Sequence, residues 1–408
     1  MKRLNGYSTG FLSVSKFFFL LYVTYSNVLC WAGYYVPMLS AVLLMLAVGS
    51  LCIHKQKICI NPVLSMFGFY ILFAVWVLFT GYIVAVDKGM VTNFITTFVE
   101  YLFVFGLVIN YSKADKKIDY SLIVFVIQAV IAGLLVMLRG ISVQNRATFA
   151  EEVNVNTIGI MASLSIAYIL YMFITKKKNI KSIAITLVLI LFELMVILHT
   201  ASKKSILSAA LFIIMWILVC YREAFRKINL FSKILMIVLI SRVCVFAYQW
   251  YQREYAEALE FMMYRMELLG EGESDSTRFK FIIEALKVFV VNPIFGVGIN
   301  NFRYYNPIQQ TYSHCFYTEI LACTGLGGAV FFVYPIYKAA RKISQRYSDI
   351  SIHRKLSAQD KYILCMLGVF LFINMTQIAF YEFNLMFFIM IFMSYAECTT
   401  RMQNPAQS

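Results

Sequence analysis

Residues 276–328 read STRFKFIIEALKVFVVNPIFGVGINNFRYYNPIQQTYSHCFYTEILACTGLGG. The stretch closes the one long polar segment of an otherwise hydrophobic chain and then runs into a new apolar span. From Ser276 to Val291 the apolar residues Phe279, Ile282, Ile283, Leu286 and Phe289 recur at helical spacing, with Lys280, Glu284 and Lys287 opposite. Asp275 or Ser276 can cap that helix, and Asn292-Pro293 ends it. A turn punctuated by Pro293, Gly296 and Gly298 follows, and His314 stands at the mouth of the next span. Arg278 falls in the first turn of the helix, beside backbone N–H groups that suit an anion.

The rest of the chain sets this stretch in a membrane. Hydrophobic residues make up 61% of it and charged ones 14%, with a mean hydropathy of +0.73. Such a composition excludes an ordinary soluble domain. The net charge of +15 comes from short basic clusters between apolar runs, which marks topology rather than nucleic-acid binding. The nine cysteines fall mostly inside apolar spans with no metal-ligand spacing, and read as small core residues. The N-terminus resembles a signal peptide without a small-x-small cleavage site, so it reads as an uncleaved first helix.

A hydrocarbon core of about 30 Å takes roughly 20 apolar residues per helix. Twelve segments meet that length: 11–30, 33–53, 62–86, 90–111, 120–138, 155–175, 182–199, 205–221, 231–249, 315–337, 361–380 and 384–397. The expected fold class is an all-α polytopic membrane protein with about twelve transmembrane helices and a long helical extracytoplasmic loop between spans nine and ten. In domain terms, 1–249 holds the first nine spans, 250–314 the loop with two amphipathic helices, and 315–408 the last three spans with a cytoplasmic tail. The first loop helix is expected over Arg253–Leu269. Basic clusters at Lys55/Lys57, Lys113/Lys116/Lys117, Lys176/Lys177/Lys178/Lys181, Arg222/Arg226/Lys227/Lys233 and 338–361 alternate with the other connections, which places both termini in the cytoplasm.

Two further features stand out. Lys203 and Lys204 lie on the outer face, against the positive-inside trend, where a lysine pair at a helix start opposes the macrodipole and calls for an anion; interfacial snorkelling is the plainer alternative. Glu193 and Arg242 lie within spans seven and nine at a common depth of roughly 16 Å, at 1.5 Å per residue. A structural ion pair between them is the simplest expectation.

The order of Arg278, an amphipathic helix, NPIFGVGINNF (292–302) and HCFYTEILACTGLGG (314–328) resembles the O-antigen ligase and polysaccharide polymerase family of bacterial envelope glycosyltransferases. TASKKS (200–205) and the outer segment Arg146–Asn156 look similar to further stretches of that family, so the resemblance covers the whole chain. This sequence departs by Lys203 where the family usually has arginine, and by Cys315 for the asparagine after the histidine. A lysine keeps the charge but loses the bidentate fork.

The resemblance implies an enzyme that transfers a glycan from an undecaprenyl-diphosphate carrier to an acceptor hydroxyl, with no metal and no cofactor. It places the enzyme in the bacterial plasma (inner) membrane, with the site on the outer face. His314 is the expected base, with Glu319 to orient it. Arg278 and Lys203, helped by Lys204, Arg303 and Arg146, are the expected diphosphate ligands, and Tyr317 can stack on a sugar. The plain alternatives are a surface arginine paired with loop acids for Arg278, and an interfacial belt residue for Tyr317. Partners are the lipid-linked oligosaccharide, a glycan or lipid acceptor and the bilayer; a chain-length regulator is a further candidate.

Polymerase is favoured over O-antigen ligase because Ser202-Lys203-Lys204 resembles the Ser-Arg-Lys form of capsule and exopolysaccharide polymerases. A polysaccharide or lipid flippase would show paired broken helices at midplane, and none is seen. A retaining glycosidase would need two carboxylates about 5 Å apart, which no spacing here singles out.

Overall fold

The computed structural model describes residues 2–34, 36, 38–54, 66–115, 118–143, 146–148, 154–175, 179–220, 242, 273–348 and 357–400. Its helices are α1 (Lys2–Thr24, extended by a π-helical turn Tyr25–Leu29), α2 (Leu39–His54), α3 (Met66–Val84), α4 (Lys88–Asp115), α5 (Asp119–Arg139), α6 (Val155–Thr175), α7 (Ile180–His199), α8 (Lys203–Cys220), α9 (Glu273–Val291), α10 (Phe316–Ser348), α11 (Ala358–Ile373) and α12 (Phe383–Thr400). Strands β1 (Ile141–Val143) and β2 (Arg146–Thr148) pair antiparallel, so the polar segment after α5 is a hairpin.

Seven of the described helices are long and apolar enough to cross a membrane: those at Leu12–Leu29, Met66–Val84, Lys88–Asp115, Asp119–Arg139, Val155–Phe173, Ile180–His199 and Phe316–Gln345. Leu39–Ile53 and Phe383–Glu397 are shorter apolar helices. With the composition, these describe a helical, multi-pass membrane protein. The ninth expected span, apart from Arg242, and the loop helix expected at Arg253–Leu269 lie outside the described residues.

The chain forms two compact units, one of residues 1–125, 273–354 and 370–408, the other of 126–272 and 355–369. In the first, α1 packs on α2, α3 on α4 and α10, and α4 on α12. Its centre is an aromatic knot around the fully buried Phe332. Tyr70, Phe73, Phe316 and Phe380 surround that ring at centroid distances of 5.3, 5.1, 5.4 and 5.9 Å. Offset and edge-on contacts of this kind add to the gain from burial, and Phe316 sits two residues beyond His314. Lys16 on α1 meets both oxygens of Asp115 on α4 at 2.7 Å. Glu100, within α4, accepts from the Tyr22 hydroxyl at 3.4 Å.

α10 is broken at Gly325 (φ 63°, ψ −169°). At the break it exchanges hydrogen bonds with the loop that leaves α9. Val297 N–H donates to the Ala322 carbonyl at 3.0 Å and Gly298 N–H to Cys323 at 2.9 Å. In return Leu326 N–H donates to Pro293 at 2.8 Å and Gly327 N–H to Ile294 at 3.4 Å. The two glycine motifs singled out in the sequence thus dock on one another. Glycine is required on both sides: a Cβ at Gly296 would lie 2.5 Å from the Cys323 carbonyl carbon, and Gly296 itself has φ 68°. The Trp76 indole of α3 donates to the Thr324 carbonyl at 3.0 Å and stacks on Phe295, so the break stays hydrogen-bonded within the apolar layer.

In the second unit α6 packs on α7 and α8. The turn between α7 and α8 is wholly buried at Thr200, Ala201 and Ser202. Ser163 of α6 donates to the Ser205 carbonyl at 2.9 Å, and Ser202 donates to the Asn156 side chain at 3.2 Å. Gly159 lets α6 approach, since a Cβ there would fall 2.4 Å from the Ser205 hydroxyl.

The expected Glu193–Arg242 ion pair is not formed. Glu193 is fully buried and accepts from the Ser165 hydroxyl at 2.7 Å, with no hydrogen-bond partner for Oε2. Arg242 is exposed. Ser165 on the packed α6 face donates to the carboxyl group in place of the expected cation.

Candidate functional site

α9 positions the first element of the site. Its protein-facing side is Phe281 and Ala285, both buried. Phe279, Ile283, Leu286 and Val290, most of which the periodicity groups with one apolar face, are exposed. The helix therefore has two apolar sides. The imidazole of His314 stacks on the Phe281 ring at a centroid distance of 5.8 Å with a 24° tilt, and the Tyr312 ring centroid lies 4.2 Å from it.

His314 has φ 59°, in the left-handed region. A non-glycine residue held there costs energy that the surroundings must supply, and such residues concentrate at functional sites. Here the surroundings are the start of α10. The Glu319 carboxylate accepts from the Ser313 N–H at 2.7 Å, and the Ser313 hydroxyl donates to the Cys315 carbonyl at 3.0 Å. Glu319 thus holds the backbone just before the histidine, where the sequence reading had it orient the imidazole. Its other oxygen accepts from Cys323 and from the Tyr381 hydroxyl at 3.5 Å. Cys315, in the place of the family's asparagine, is buried.

Two cations reach this neighbourhood. Burial pushes the Tyr312 phenol above its ordinary pKa, with Glu382 and Glu319 adding to the rise, while Arg278 and Arg303 oppose it. Both guanidiniums are therefore close enough to favour negative charge at Tyr312. Arg278 comes from the first turns of α9. Arg303 comes from the 3₁₀ turn Phe302–Tyr304 and donates to the side chain of Asn300, itself at φ 58°. That turn is tied to the α3–α4 connection: the buried Asn301 accepts from Asp87 N–H at 2.7 Å and donates to the Asp87 carbonyl at 3.1 Å.

The first unit thus gathers His314, Arg278, Arg303 and Glu319. Tyr317 is exposed and donates to the Leu371 carbonyl at 3.0 Å. Lys203 and Lys204 begin α8 in the second unit, half-buried. Arg146 begins β2 there, its backbone opposite Val143. Sequence reasoning missed Phe281, Ser313, Asn300 and Tyr381. Phe281 was hidden because its i, i+4 partner is only Ala285; Ser313 acts through its backbone N–H, and Asn300 and Tyr381 through single side-chain hydrogen bonds, none of which leaves a periodicity.

The site thus joins a broken span docked on a glycine loop to an imidazole and to two guanidiniums whose charge is felt at Tyr312. Residues 185–333 match the family model described as O-Antigen ligase. That segment runs from α7 into α10 and holds Lys203, Arg278, Arg303 and His314. It supports the O-antigen ligase and polymerase family read from the sequence. No curated protein matches the chain.

Proposed function

We propose that the protein is a polysaccharide polymerase with about twelve spans. It transfers a glycan from an undecaprenyl-diphosphate carrier to a hydroxyl of another lipid-linked repeat unit at the outer face of the plasma membrane, without a metal. The observation that carries this is the meeting of the His314 imidazole with the Tyr312 phenol, whose tendency to ionise both Arg278 and Arg303 favour. His314 takes the proton of the acceptor hydroxyl as its oxygen attacks the anomeric carbon from the face opposite the diphosphate. The bond from that carbon to the phosphate oxygen breaks, and the carrier diphosphate leaves with the electron pair. Arg278 and Arg303 stabilise the charge that builds on it, and losing one such donor costs on the order of 3–4 kcal/mol at the barrier. Lys203, Lys204 and Arg146 are proposed as further phosphate ligands. The exposed apolar side of α9 rests on the bilayer surface.

The test is a deletion strain complemented with variants. Loss of a polymerase leaves single repeats on the acceptor, whereas loss of a ligase leaves long chains on the lipid carrier. His314→Ala should abolish chain growth and Arg278→Lys should retain part of it. Normal polymer from a well-expressed His314→Ala protein would overturn the mechanism.

A further inference from the structure

Beside the residues assigned above, the first unit holds a cavity of about 190 Å³ lined by Met90, Asn93, Phe94, Thr97 and Tyr101 of α4, by Asn300, and by Phe380 and Tyr381 of the 3₁₀ turn before α12. We propose that this cavity is a subsite for one neutral pyranose ring of the glycan, an inference that rests on the glycosyl-transfer reading and deepens it.

The size selects the ligand first. The volume falls below the roughly 300–1,000 Å³ of pockets that take drug-sized molecules, so it suits one ring rather than an oligosaccharide or an isoprenoid chain. Chemistry selects next. No side chain of the lining carries a charge, which disfavours a diphosphate. Amides at Asn93 and Asn300 and the Thr97 hydroxyl offer hydrogen bonds, and the aromatic rings offer flat apolar faces for the C–H face of a sugar. A lipid chain would have no use for two amides. The Thr97 hydroxyl already donates to the Asn93 carbonyl at 3.2 Å, so it is free to accept from a ligand hydroxyl.

Position ties the cavity to the reaction. Tyr381 forms part of its wall and donates to Glu319, whose other oxygen fixes the amide before His314. Asn300, beside Tyr381 in that wall, accepts from Arg303 and donates to the Met90 sulfur at 3.4 Å. A ring seated here touches Tyr381 and Asn300, which hydrogen-bond to Glu319 and to Arg303 in turn.

The test uses the full chain in lipid nanodiscs, with methyl glucopyranosides, galactopyranosides and N-acetylglucosaminides as probes and saturation-transfer NMR as the readout. At least one glycoside should receive saturation from the wild type. That transfer should fall by about fivefold or more in Asn93→Leu and in Asn300→Gly, the fold-change of one lost hydrogen bond. Glycine keeps the positive φ at position 300. Lys287→Ala, on the exposed surface of α9, should leave it unchanged. No transfer to any glycoside, transfer that survives both variants, or seating of farnesol in the glycoside's place overturns the subsite. Incorporation of a labelled glycoside into product assigns the ring to the acceptor; inhibition without incorporation assigns it to the donor. Glycoside binding that persists while His314→Ala still makes polymer would remove the transfer reading and leave the subsite standing.

Discussion

Gly325 stands so close to Ile294 that a Cβ added to it would fall 2.2 Å from the Ile294 carbonyl oxygen. The oxygen belongs to the docked loop and cannot retreat without giving up the hydrogen bonds across the break. Gly325→Ala should therefore lose about 3 kcal/mol or more, from backbone strain at φ 63° and from overpacking together. Gly49→Ala, on α2 with nothing near the added carbon, should gain about 0.5–1 kcal/mol. Thermal unfolding of both purified variants checks the pair, and equal effects would show that the docking is not what requires glycine.

At His314 the backbone and the side chain can be separated. Glycine there removes the left-handed strain along with the imidazole, while alanine removes only the imidazole. Both variants should be inactive, yet His314→Gly should melt higher than His314→Ala by an amount equivalent to about 1 kcal/mol. Identical melting points would mean that the positive φ stores no strain.

The buried Glu193 depends on Ser165, not on Arg242. Arg242→Ala should leave folded yield unchanged, as expected of an exposed side chain. Ser165→Val should lower it, by removing the one hydrogen bond the structure gives the carboxylate. Fluorescence-detected size-exclusion profiles of the two variants decide between the partners.

Asp87 supplies the acid dependence. Its carboxylate accepts from Tyr304 at 3.0 Å and from the N–H groups of Gly89 and Met90, which hold its pKa below the ordinary carboxylate value. A depressed folded-state pKa gives stability that is present above the unfolded value of about 3.9 and lost as pH falls through the folded one. Melting temperature should drop through that acid window in the wild type and drop less in Asp87→Asn. Parallel curves would remove Asp87 from the account.

Much of this molecule was legible from residue order alone, because a membrane helix announces itself by length and hydropathy. The helix after the polar loop was expected over Ser276–Val291 and runs Glu273–Val291. Both glycine runs were marked, and their mutual docking explains why they occur together. What could not be read is what answers a buried polar group. Glu100 has Tyr22 on α1, and Glu193 has Ser165 on α6. Hydroxyl side chains on neighbouring helices donate to these carboxyl groups, and neither Ser nor Tyr in an apolar run signals such a role. The two-sidedness of α9 was equally hidden, since Phe281 and Ala285 break the pattern that its other apolar residues make.

Phe279 and Phe281 are two residues apart on one rigid rod, the first turned outward and the second against the imidazole. Where the outward side floats on the bilayer, headgroup packing sets the height at which the inner ring meets His314. Lipid then becomes a component of the geometry proposed for catalysis, and a detergent micelle, with its different curvature, makes a poor replacement for it.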